Sequence, residues 1–329
     1  MPTSNEGEKI NVLLFGLGAI GGFYAYILSK NPNVSLSVIA RSNYDAVKQN
    51  GLQIQSALHG THTVPITAVY KSPSNIKTTF DFIVFAHKAI NPSSIPPLFK
   101  TCVSDSTTFV IIQNGVGNED PFRETFPDNS IISCVTWTGA VQNTPGIIEH
   151  GKNEDMQIGL FPNPNIDEGV ENQRLSTFAH LLTTGGTKFN LEENIQVKRW
   201  EKVIWNAAWN PLTTLTLTSV QSYLHTSPAA LATAKTLMSE VLLIAQTLGI
   251  PLPSNLPEQL IQKVLDMPQE VYSSMYQDRK EGRALEKEVI LGVPLRRAGE
   301  LGLGERVPVL RAIWSLVDAV DRGITGAKL

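Results

Sequence analysis

Lys202, Asn206 and Asn210 are the residues whose types and spacing are best suited to chemistry. They recur every four residues, so on a helix they would lie on one face, one turn above another. Three of the five tryptophans of the chain belong to the same segment. A lysine and two amides beside large aromatic rings predict the wall of a pocket, where one proton donor and two hydrogen-bonding groups hold a small polar ligand. Lys202 taken alone would fit a solvated surface lysine equally well.

A glycine-rich turn near the start of the chain predicts a nucleotide site. The turn, GLGAIG, follows an apolar strand predicted at 10–15 and opens a helix predicted at 20–30, and a second strand is predicted at 34–40. In such a turn the first glycine allows the tight bend, the second lets the backbone approach a diphosphate, and the third lets helix and strand pack closely. The predicted cofactor contacts are Gly16, Leu17, Gly18, Ala19, Ile20 and Gly21.

The residue that ends the second strand indicates which dinucleotide is bound. NAD sites place a carboxylate there to bind the ribose 2′-hydroxyl, but this chain has Arg41. A guanidinium suits a 2′-phosphate, so we predict NADP(H); a surface arginine in a loop is the alternative. Lys88 and Asn114 directly follow further predicted strands, at the sheet edge where ligands bind, and are predicted near the cofactor.

The remaining patterns predict an α/β protein of two domains. Strands are predicted at 81–86, 108–112, 131–136 and 187–191, a hairpin at 144–160 and a helix at 171–182. Helical segments are then predicted at 195–209, 228–248, 257–266, 279–301 and 308–320, separated by prolines that include Pro211. We therefore predict a Rossmann-type doubly wound domain over 1–192 and an all-α domain over 193–329, with the active site in the cleft between them.

Composition excludes several classes of partner. The net charge is −3 with no basic stripe, which disfavours nucleic acid, and no apolar run reaches the length needed to span a membrane. Two cysteines favour a reducing compartment, and we predict the cytoplasm. The terminal Ala327-Lys328-Leu329 resembles a peroxisomal address, so the peroxisomal matrix is the alternative if the protein is eukaryotic; a frayed polar tail is the other interpretation of these residues. His59 and His62 have no further ligands nearby, so no metal is predicted, and a homodimer is compatible with the apolar helices.

The order and spacing of these motifs resemble the ketopantoate reductase (2-dehydropantoate 2-reductase, ApbA/PanE) family from about residue 10 to 320. The shared motifs are GLGAIGG, VIAR, QNGVGNED, KxxxNxxxNPLT, SSMYQD and LEKEVILGVPLRRA. Members of the family reduce a 2-keto acid, such as ketopantoate on the route to pantothenate, to a 2-hydroxy acid with NADPH.

The resemblance implies a role for each matching residue. Lys202 matches the general acid, and Asn206, Asn210 and Ser274 match substrate contacts. Asn114 matches a residue close to both nicotinamide and substrate. The remaining matches are cofactor contacts, which comprise Lys88, Glu286 and, more loosely, Ala140.

Three positions depart from the family pattern. Val220, Val271 and Leu291 stand where polar residues are common in the family. The change favours a larger or more apolar carbonyl substrate than ketopantoate. One rival is another enzyme of the same fold plan, either a dehydrogenase of other hydroxy acids or an opine-type enzyme. An opine-type enzyme would need a His–Asp relay in the helical domain, whereas the only histidine after residue 195 is His225, which has no evident partner. The other rival is a non-catalytic NADP-sensing protein, which would need no proton donor at Lys202.

Overall fold

The structure, a computed structural model, describes residues 9–326 and divides into two compact units. The first comprises the described residues up to Lys88, together with Pro92–Gln113 and Asn118–Ile195. The second comprises Ala89–Asn91, Asn114–Gly117 and the described residues from Gln196 onward. Two short segments that follow strands of the first unit therefore belong to the second.

All strands of the described chain lie in the first unit. They are β1 (Ile10–Phe15), β2 (Val34–Ile39), β3 (Leu52–Ser56), β4 (Gly60–Val64), β5 (Ala68–Tyr70), β6 (Phe82–Phe85), β7 (Thr108–Ile111), β8 (Ser130–Thr136), β9 (Ala140–Thr144), β10 (Ile147–His150), β11 (Met156–Phe161) and β12 (Asn190–Leu191). The α-helices are α1 (Ala19–Ser29), α2 (Tyr44–Asn50), α3 (Asp120–Thr125), α4 (Glu168–Gly185), α5 (Ile195–Thr216), α6 (Val220–Leu224), α7 (Pro228–Thr247), α8 (Leu256–Leu265), α9 (Ser274–Lys280), α10 (Val293–Glu300) and α11 (Pro308–Thr325). Short 3₁₀ turns lie at Pro73–Asn75, Pro92–Ser94, Pro96–Phe99 and Gly304–Arg306, and a π-helical turn lies at Glu288–Gly292.

The larger sheet has the strand order β12-β11-β8-β7-β6-β1-β2-β5. From β5 to β8 neighbouring strands are parallel, whereas β11 runs antiparallel to β8. In a doubly wound sheet the order reverses beside β1, and ligands bind at the carboxyl edge near that point. The predicted α/β fold class, with a Rossmann-type sheet followed by a helical region, is confirmed.

Both faces of this sheet are buried, because successive side chains of its parallel strands point to opposite sides. Val12 and Leu14 pack with α1, α4 and the smaller sheet, while Leu13 and Phe15 join a phenylalanine-rich cluster on the other face. The four side chains are at most 4% exposed. The continuous apolar run of β1 therefore holds the glycine turn that follows it in a fixed place.

A smaller sheet, in the order β4-β3-β10-β9, lies in the same unit and was not predicted. Most of β4 is exposed and polar, so this strand shows little hydrophobic alternation. The predicted hairpin at 144–160 was wrong in extent. The chain turns at Gly146 (φ +82°) between β9 and β10, and β11 leaves to pair with β8 of the larger sheet.

The second unit is helical, and its longest helix corrects one prediction. Pro211 does not end the helix, because α5 continues to Thr216. Proline removes only one intrahelical N–H donor, and the residues on both sides of it are buried. Packing therefore outweighs the local preference of proline, and Lys202, Asn206 and Asn210 lie on one unbroken helix.

The predicted helix at 279–301 is two helices. Gly282 has a φ of +66° just after α9, and the backbone N–H of Arg283 donates to the carbonyl of Asp278. These are features of a helix C-terminus. The chain becomes helical again at the π-helical turn and continues into α10.

Among the described residues α7 is long and apolar enough to cross a membrane. Half of its most apolar window is buried inside the protein, where α7 packs against α8 and α11 as a core helix. Ala327-Lys328-Leu329 lies outside the described residues.

Candidate active site

The glycine turn has the geometry that a dinucleotide loop requires. Gly16 has a φ of +101°, and a Cβ there would lie 2.3 Å from the backbone nitrogen of His87. A Cβ on Gly21 would lie 1.9 Å from the carbonyl oxygen of Gly16. Gly18 differs, because a Cβ there would meet no atom within 4 Å. The first and third glycines are thus required by the protein itself, while open space lies beside the second.

The N-terminus of α1 fits a diphosphate. Gly18 is the N-cap residue, no side chain caps the helix, and its first turn carries no acidic residue. The first N–H groups of a helix lack intrahelical acceptors and carry a partial positive charge. This end of α1 therefore offers donors that an anionic ligand would satisfy, beside the space at Gly18.

The other predicted cofactor residues of this unit lie at strand ends. Arg41 is exposed two residues after β2, Lys88 is partly buried three residues after β6, and Ala140 is partly buried at the first position of β9. The buried His87 lies near Arg41: burial, followed by the charge of Arg41, lowers the pKa of the imidazole to about 3. His87 is therefore neutral at pH 7, and the exposed guanidinium supplies the positive charge.

Lys202 belongs to a chain of hydrogen bonds inside the second unit. Its Nζ donates to Oδ1 of Asn114 at 2.9 Å, and Nδ2 of Asn114 donates to Oε2 of Glu286 at a longer 3.5 Å. The other carboxylate oxygen, Oε1, accepts from the backbone N–H of Ala89 at 2.9 Å. Three residues assigned from widely separated motifs are therefore in contact.

The environment of Lys202 suits proton transfer near neutral pH. Burial lowers the pKa of the ammonium, the charge of Arg199 lowers it further, and Glu286 opposes both, with a resulting pKa of about 7. Burial disfavours the charged form of a lysine. A lysine with this pKa is populated in both protonation states at pH 7, as a proton donor to a developing alkoxide should be.

Arg199, which was not predicted, holds the loop that carries Asn114. The arginine is 2% exposed, and its guanidinium donates to the carbonyl of Gly115 at 2.8 Å. The N–H of Val116 donates to the carbonyl of Val289 at 3.0 Å. Arg199 precedes Lys202 by three residues, one helical turn, and this spacing was the only signal for it in the sequence.

Asn206 and Asn210 are both buried in α5, with exposed fractions of 7% and 3%. The Nδ2 group of Asn210 has no hydrogen-bond partner among the described residues. Leaving a buried amide donor unsatisfied is unfavourable by about 1–3 kcal/mol. Such a group is expected to bind a ligand or a water molecule that supplies the missing acceptor.

Ser274 is not brought into this hydrogen-bonded chain. It is exposed at the first position of α9. The neighbouring Ser273 is buried: its Oγ accepts from the N–H of Tyr276 as the helix cap and lies 2.7 Å from the hydroxyl of Thr213. The hydroxyl that remains open to a ligand is thus that of Ser274.

The pair His59 and His62 makes other contacts. Nε2 of His59 lies 2.7 Å from a carboxylate oxygen of Glu154, and Nε2 of His62 lies 2.6 Å from the carbonyl of His59. Over residues 9–326, no group of three or more histidine, cysteine or acidic side chains is placed to hold a metal ion.

Comparison with known proteins identifies the family. The family model described as ketopantoate reductase PanE/ApbA matches residues 12–163, and the model of its C-terminal region matches residues 194–321. The chain belongs to the ketopantoate reductase family. Membership makes it a pyridine-nucleotide-dependent oxidoreductase that acts on CH–OH groups and supports reduction of a 2-keto acid.

Members of the ketopantoate reductase family match the chain over nearly its whole length. The 2-dehydropantoate 2-reductase of Nostoc sp. is 27% identical over 95% of this chain and 96% of its own. The crystal structure of 2-dehydropantoate 2-reductase from Methylococcus capsulatus is 30% identical and covers 97% of this chain and 99% of its own, with a TM-score of 0.84. A D-mandelate dehydrogenase, whose ternary structure holds NADH and anilino(oxo)acetate, shares the fold at 22% identity, with a TM-score of 0.82 over 96% of this chain and 100% of its own.

Proposed function

We propose that this protein is an NADPH-dependent reductase that converts a 2-keto acid, ketopantoate or a related carbonyl compound, to the 2-hydroxy acid, with Lys202 as general acid. The observation that carries the proposal is the partly buried Lys202, hydrogen-bonded to Asn114, with a pKa of about 7. A non-catalytic sensor of NADP would need no such group.

The proposed chemistry needs a hydride and a proton. When bound, NADPH would supply a hydride to the keto carbon, so that negative charge would develop on the carbonyl oxygen. The Lys202 ammonium stabilises that charge and then donates its proton from Nζ to the oxygen, which leaves a neutral amine. Asn114 orients the ammonium through its Oδ1, 2.9 Å away. Solvent returns the proton to the amine after turnover.

The other site residues bind rather than react. The amides of Asn206 and Asn210 bind oxygens of the keto acid, and the exposed Ser274 hydroxyl binds near its carboxylate. On the cofactor side the loop from Gly16 to Gly21, with Leu17, Ala19 and Ile20, holds the diphosphate. Additional cofactor contacts come from Arg41, Lys88, Asn114, Ala140 and Glu286. We assign cofactor binding mainly to residues 1–192 and substrate binding with proton transfer to 193–329, in a cytoplasmic protein.

A larger or more apolar carbonyl substrate than ketopantoate is the second candidate. The backbone N–H of Val220 donates to the carbonyl of Val271 at 2.9 Å, so these two departures from the family pattern are neighbours. Val220 and Leu291 are fully buried, whereas Val271 keeps some exposure and precedes Ser274 by three residues. Val271 is therefore the position at which an apolar group of the substrate would be favoured.

The substrate is tested by NADPH oxidation with ketopantoate and with 2-keto acids that carry branched or aromatic side chains. A Val271→Asn variant is measured in parallel, because it restores an amide at the divergent position. If the apolar candidate is right, the wild type favours the bulkier acids, and the variant shifts the ratio of kcat/KM values toward ketopantoate. Equal preference in both proteins would exclude a role for Val271 in specificity.

Removing the guanidinium of Arg41 is expected to abolish the preference for NADPH over NADH. An ionic hydrogen bond to phosphate contributes about 1.5–3 kcal/mol, so KM for NADPH should rise roughly 10- to 100-fold in Arg41→Ala. KM for NADH, which has no 2′-phosphate, should change little. Arg41→Lys keeps the charge but loses the two-pronged donor, so its KM for NADPH should lie between those of the wild type and Arg41→Ala. An equal loss for both cofactors would contradict the assignment of Arg41 to the 2′-phosphate.

The pH dependence of reduction is expected to follow Lys202. Because the ammonium is the proton donor, kcat/KM for reduction should be constant well below pH 7 and fall about tenfold per pH unit well above it. Oxidation of the hydroxy acid needs the neutral amine and should show the opposite dependence. Glu286→Gln removes a negative charge that raises the pKa of Lys202, so it should move the break to lower pH. A break that does not move would contradict Lys202 as its origin.

A further inference from the structure

The carbonyl oxygen of Leu17, inside the glycine turn, accepts hydrogen bonds from two side-chain amides. Nδ2 of Asn43 donates to it at 2.6 Å, and Nε2 of Gln142 donates to it at 3.3 Å. The two amides are also bonded to each other, because Nδ2 of Asn43 lies 3.3 Å from Oε1 of Gln142. We call these two side chains and the Leu17 carbonyl the amide clamp. It joins three segments that are far apart in the sequence.

Asn43 serves the clamp instead of the helix that it begins. It is the N-cap residue of α2, where asparagine is favoured because its side-chain oxygen accepts a backbone N–H of the first turn. Here the side chain makes no such bond. It turns away and reaches back 26 residues to Leu17, in a position that is 5% exposed. The usual local role of the residue is thus given up for a long-range contact.

Each member of the clamp either is a proposed cofactor contact or lies two residues from one. Leu17 immediately precedes Gly18, beside which the open space for the diphosphate lies. Asn43 follows Arg41 by two residues in the same loop. Gln142 follows Ala140 by two residues in β9, so both point to the same side of that strand. Movement of any one of the three segments would be resisted by the other two.

We propose that Asn43 and Gln142 are positioning residues that fix the distance between the diphosphate loop and the Arg41 loop. The inference rests on the proposed function, in which one NADPH molecule places a phosphate group at each loop. If the loops are already aligned, binding of one phosphate does not have to order the other loop, so both contribute fully to affinity. Without the clamp, binding of the 2′-phosphate is weakened, and the affinity for NADPH falls. NADH has no 2′-phosphate, so its affinity falls only to the extent that its contacts with the diphosphate loop are weakened.

The experiment compares NADPH and NADH affinities, by fluorescence titration, for the wild type, Asn43→Ser, Gln142→Thr and the double variant. Serine keeps the N-cap preference of α2 but cannot reach Leu17. We expect Asn43→Ser to weaken NADPH binding about tenfold, the equivalent of one lost hydrogen bond, and NADH binding much less. The double variant should add little to the single one, because both amides act on the same oxygen.

Asn163→Ser is the matched control. Asn163 is also buried in the first unit, and its Nδ2 donates to the carbonyls of Pro127 and Asn129 at 2.7 and 3.3 Å. None of these residues adjoins a proposed cofactor contact. The control should lower the melting temperature without changing the ratio of NADPH to NADH affinities.

The outcomes separate the clamp from the proposed function. The positioning role is supported if the wild type prefers NADPH and the ratio of NADPH to NADH affinities falls in the clamp variants but is unchanged in the control. The same wild type with an unchanged ratio in Asn43→Ser and Gln142→Thr overturns the clamp and leaves the proposed function standing. A wild type that binds both cofactors equally overturns the assignment of the 2′-phosphate and the clamp together.

Discussion

Replacing Lys202 with methionine is expected to reduce kcat for 2-keto acid reduction by roughly 100- to 10,000-fold, the range that general acid catalysis contributes. Methionine matches the length of the lysine stem and removes only the proton donor and its charge. The dissociation constant of NADPH should change by less than about threefold, because the loss falls on a step that follows binding. The measurement is steady-state turnover together with a cofactor titration on the same preparation.

Lys198→Met is the matched control for this variant. Lys198 lies on the same helix, one turn earlier, with its side chain 38% exposed and its Nζ 3.6 Å from a carboxylate oxygen of Glu201. An exposed ion pair of this kind contributes little to stability, so this variant should keep full activity. A Lys202→Met protein that retains its turnover would contradict the assignment of the general acid, whatever its cofactor affinity.

Lys202→Met is also expected to change the stability of the protein. The pKa of Lys202 is lowered to about 7 in the folded protein, from the usual lysine value in the unfolded chain. The ammonium therefore disfavours folding when the lysine is charged in both states, below pH 7, and this penalty disappears as pH rises toward the unfolded pKa. Lys202→Met should accordingly melt at a higher temperature than the wild type at pH 6, with a smaller difference at pH 9.

The second large effect is expected at the glycine turn, where two substitutions of one methyl group should differ in kind. Gly21→Ala would place a Cβ 1.9 Å from the carbonyl of Gly16, which is a backbone atom that cannot move aside cheaply. We expect loss of several kcal/mol of stability, as for other overpacked sites, with NADPH binding lost as well. Thermal unfolding monitored by circular dichroism measures this effect.

Gly18→Ala should leave the fold intact and weaken cofactor binding. A Cβ at Gly18 meets no protein atom within 4 Å, and its φ of −79° is allowed for alanine. If the diphosphate occupies the space beside Gly18, the added methyl group meets the ligand, and NADPH affinity should fall at least about tenfold with an unchanged melting temperature. Full NADPH affinity in Gly18→Ala would place the diphosphate elsewhere.

The main elements of the fold follow from strong local patterns. From Val12 to Phe15 the first strand is buried on both faces and is therefore continuously apolar, and the glycines after it mark the turn without ambiguity. Weak patterns failed where burial is weak: β4 is mostly exposed, so little in its sequence distinguishes it from a loop. The prediction that the helix ends before Pro211 was wrong for the opposite reason, because packing around a buried helix outweighs the local preference of proline to end it.

The sequence predicted which residues belong to the candidate site but not which hydrogen bonds join them. The spacing of Lys202 and the two asparagines placed them on one helix, yet nothing in the sequence indicated that Asn114 and Glu286 would contact the lysine or each other. Asn43 carried no signal of its long-range role, because an asparagine before a helix has an ordinary explanation as a cap. Long-range hydrogen bonds of this kind depend on the chain topology, which brings distant segments together, and they leave no local pattern.

The most direct test of Lys202 as the general acid is the single-turnover reduction of ketopantoate and a bulky 2-keto acid by NADPH-loaded wild type and Lys202→Met, followed by the loss of NADPH absorbance across pH 5–9. We predict rapid oxidation of NADPH by the wild type with at least one acid, a break near pH 7, and a slow reaction without that break in the variant. Tight NADPH binding without oxidation on any acid, or a pH break that survives in Lys202→Met, would contradict this role.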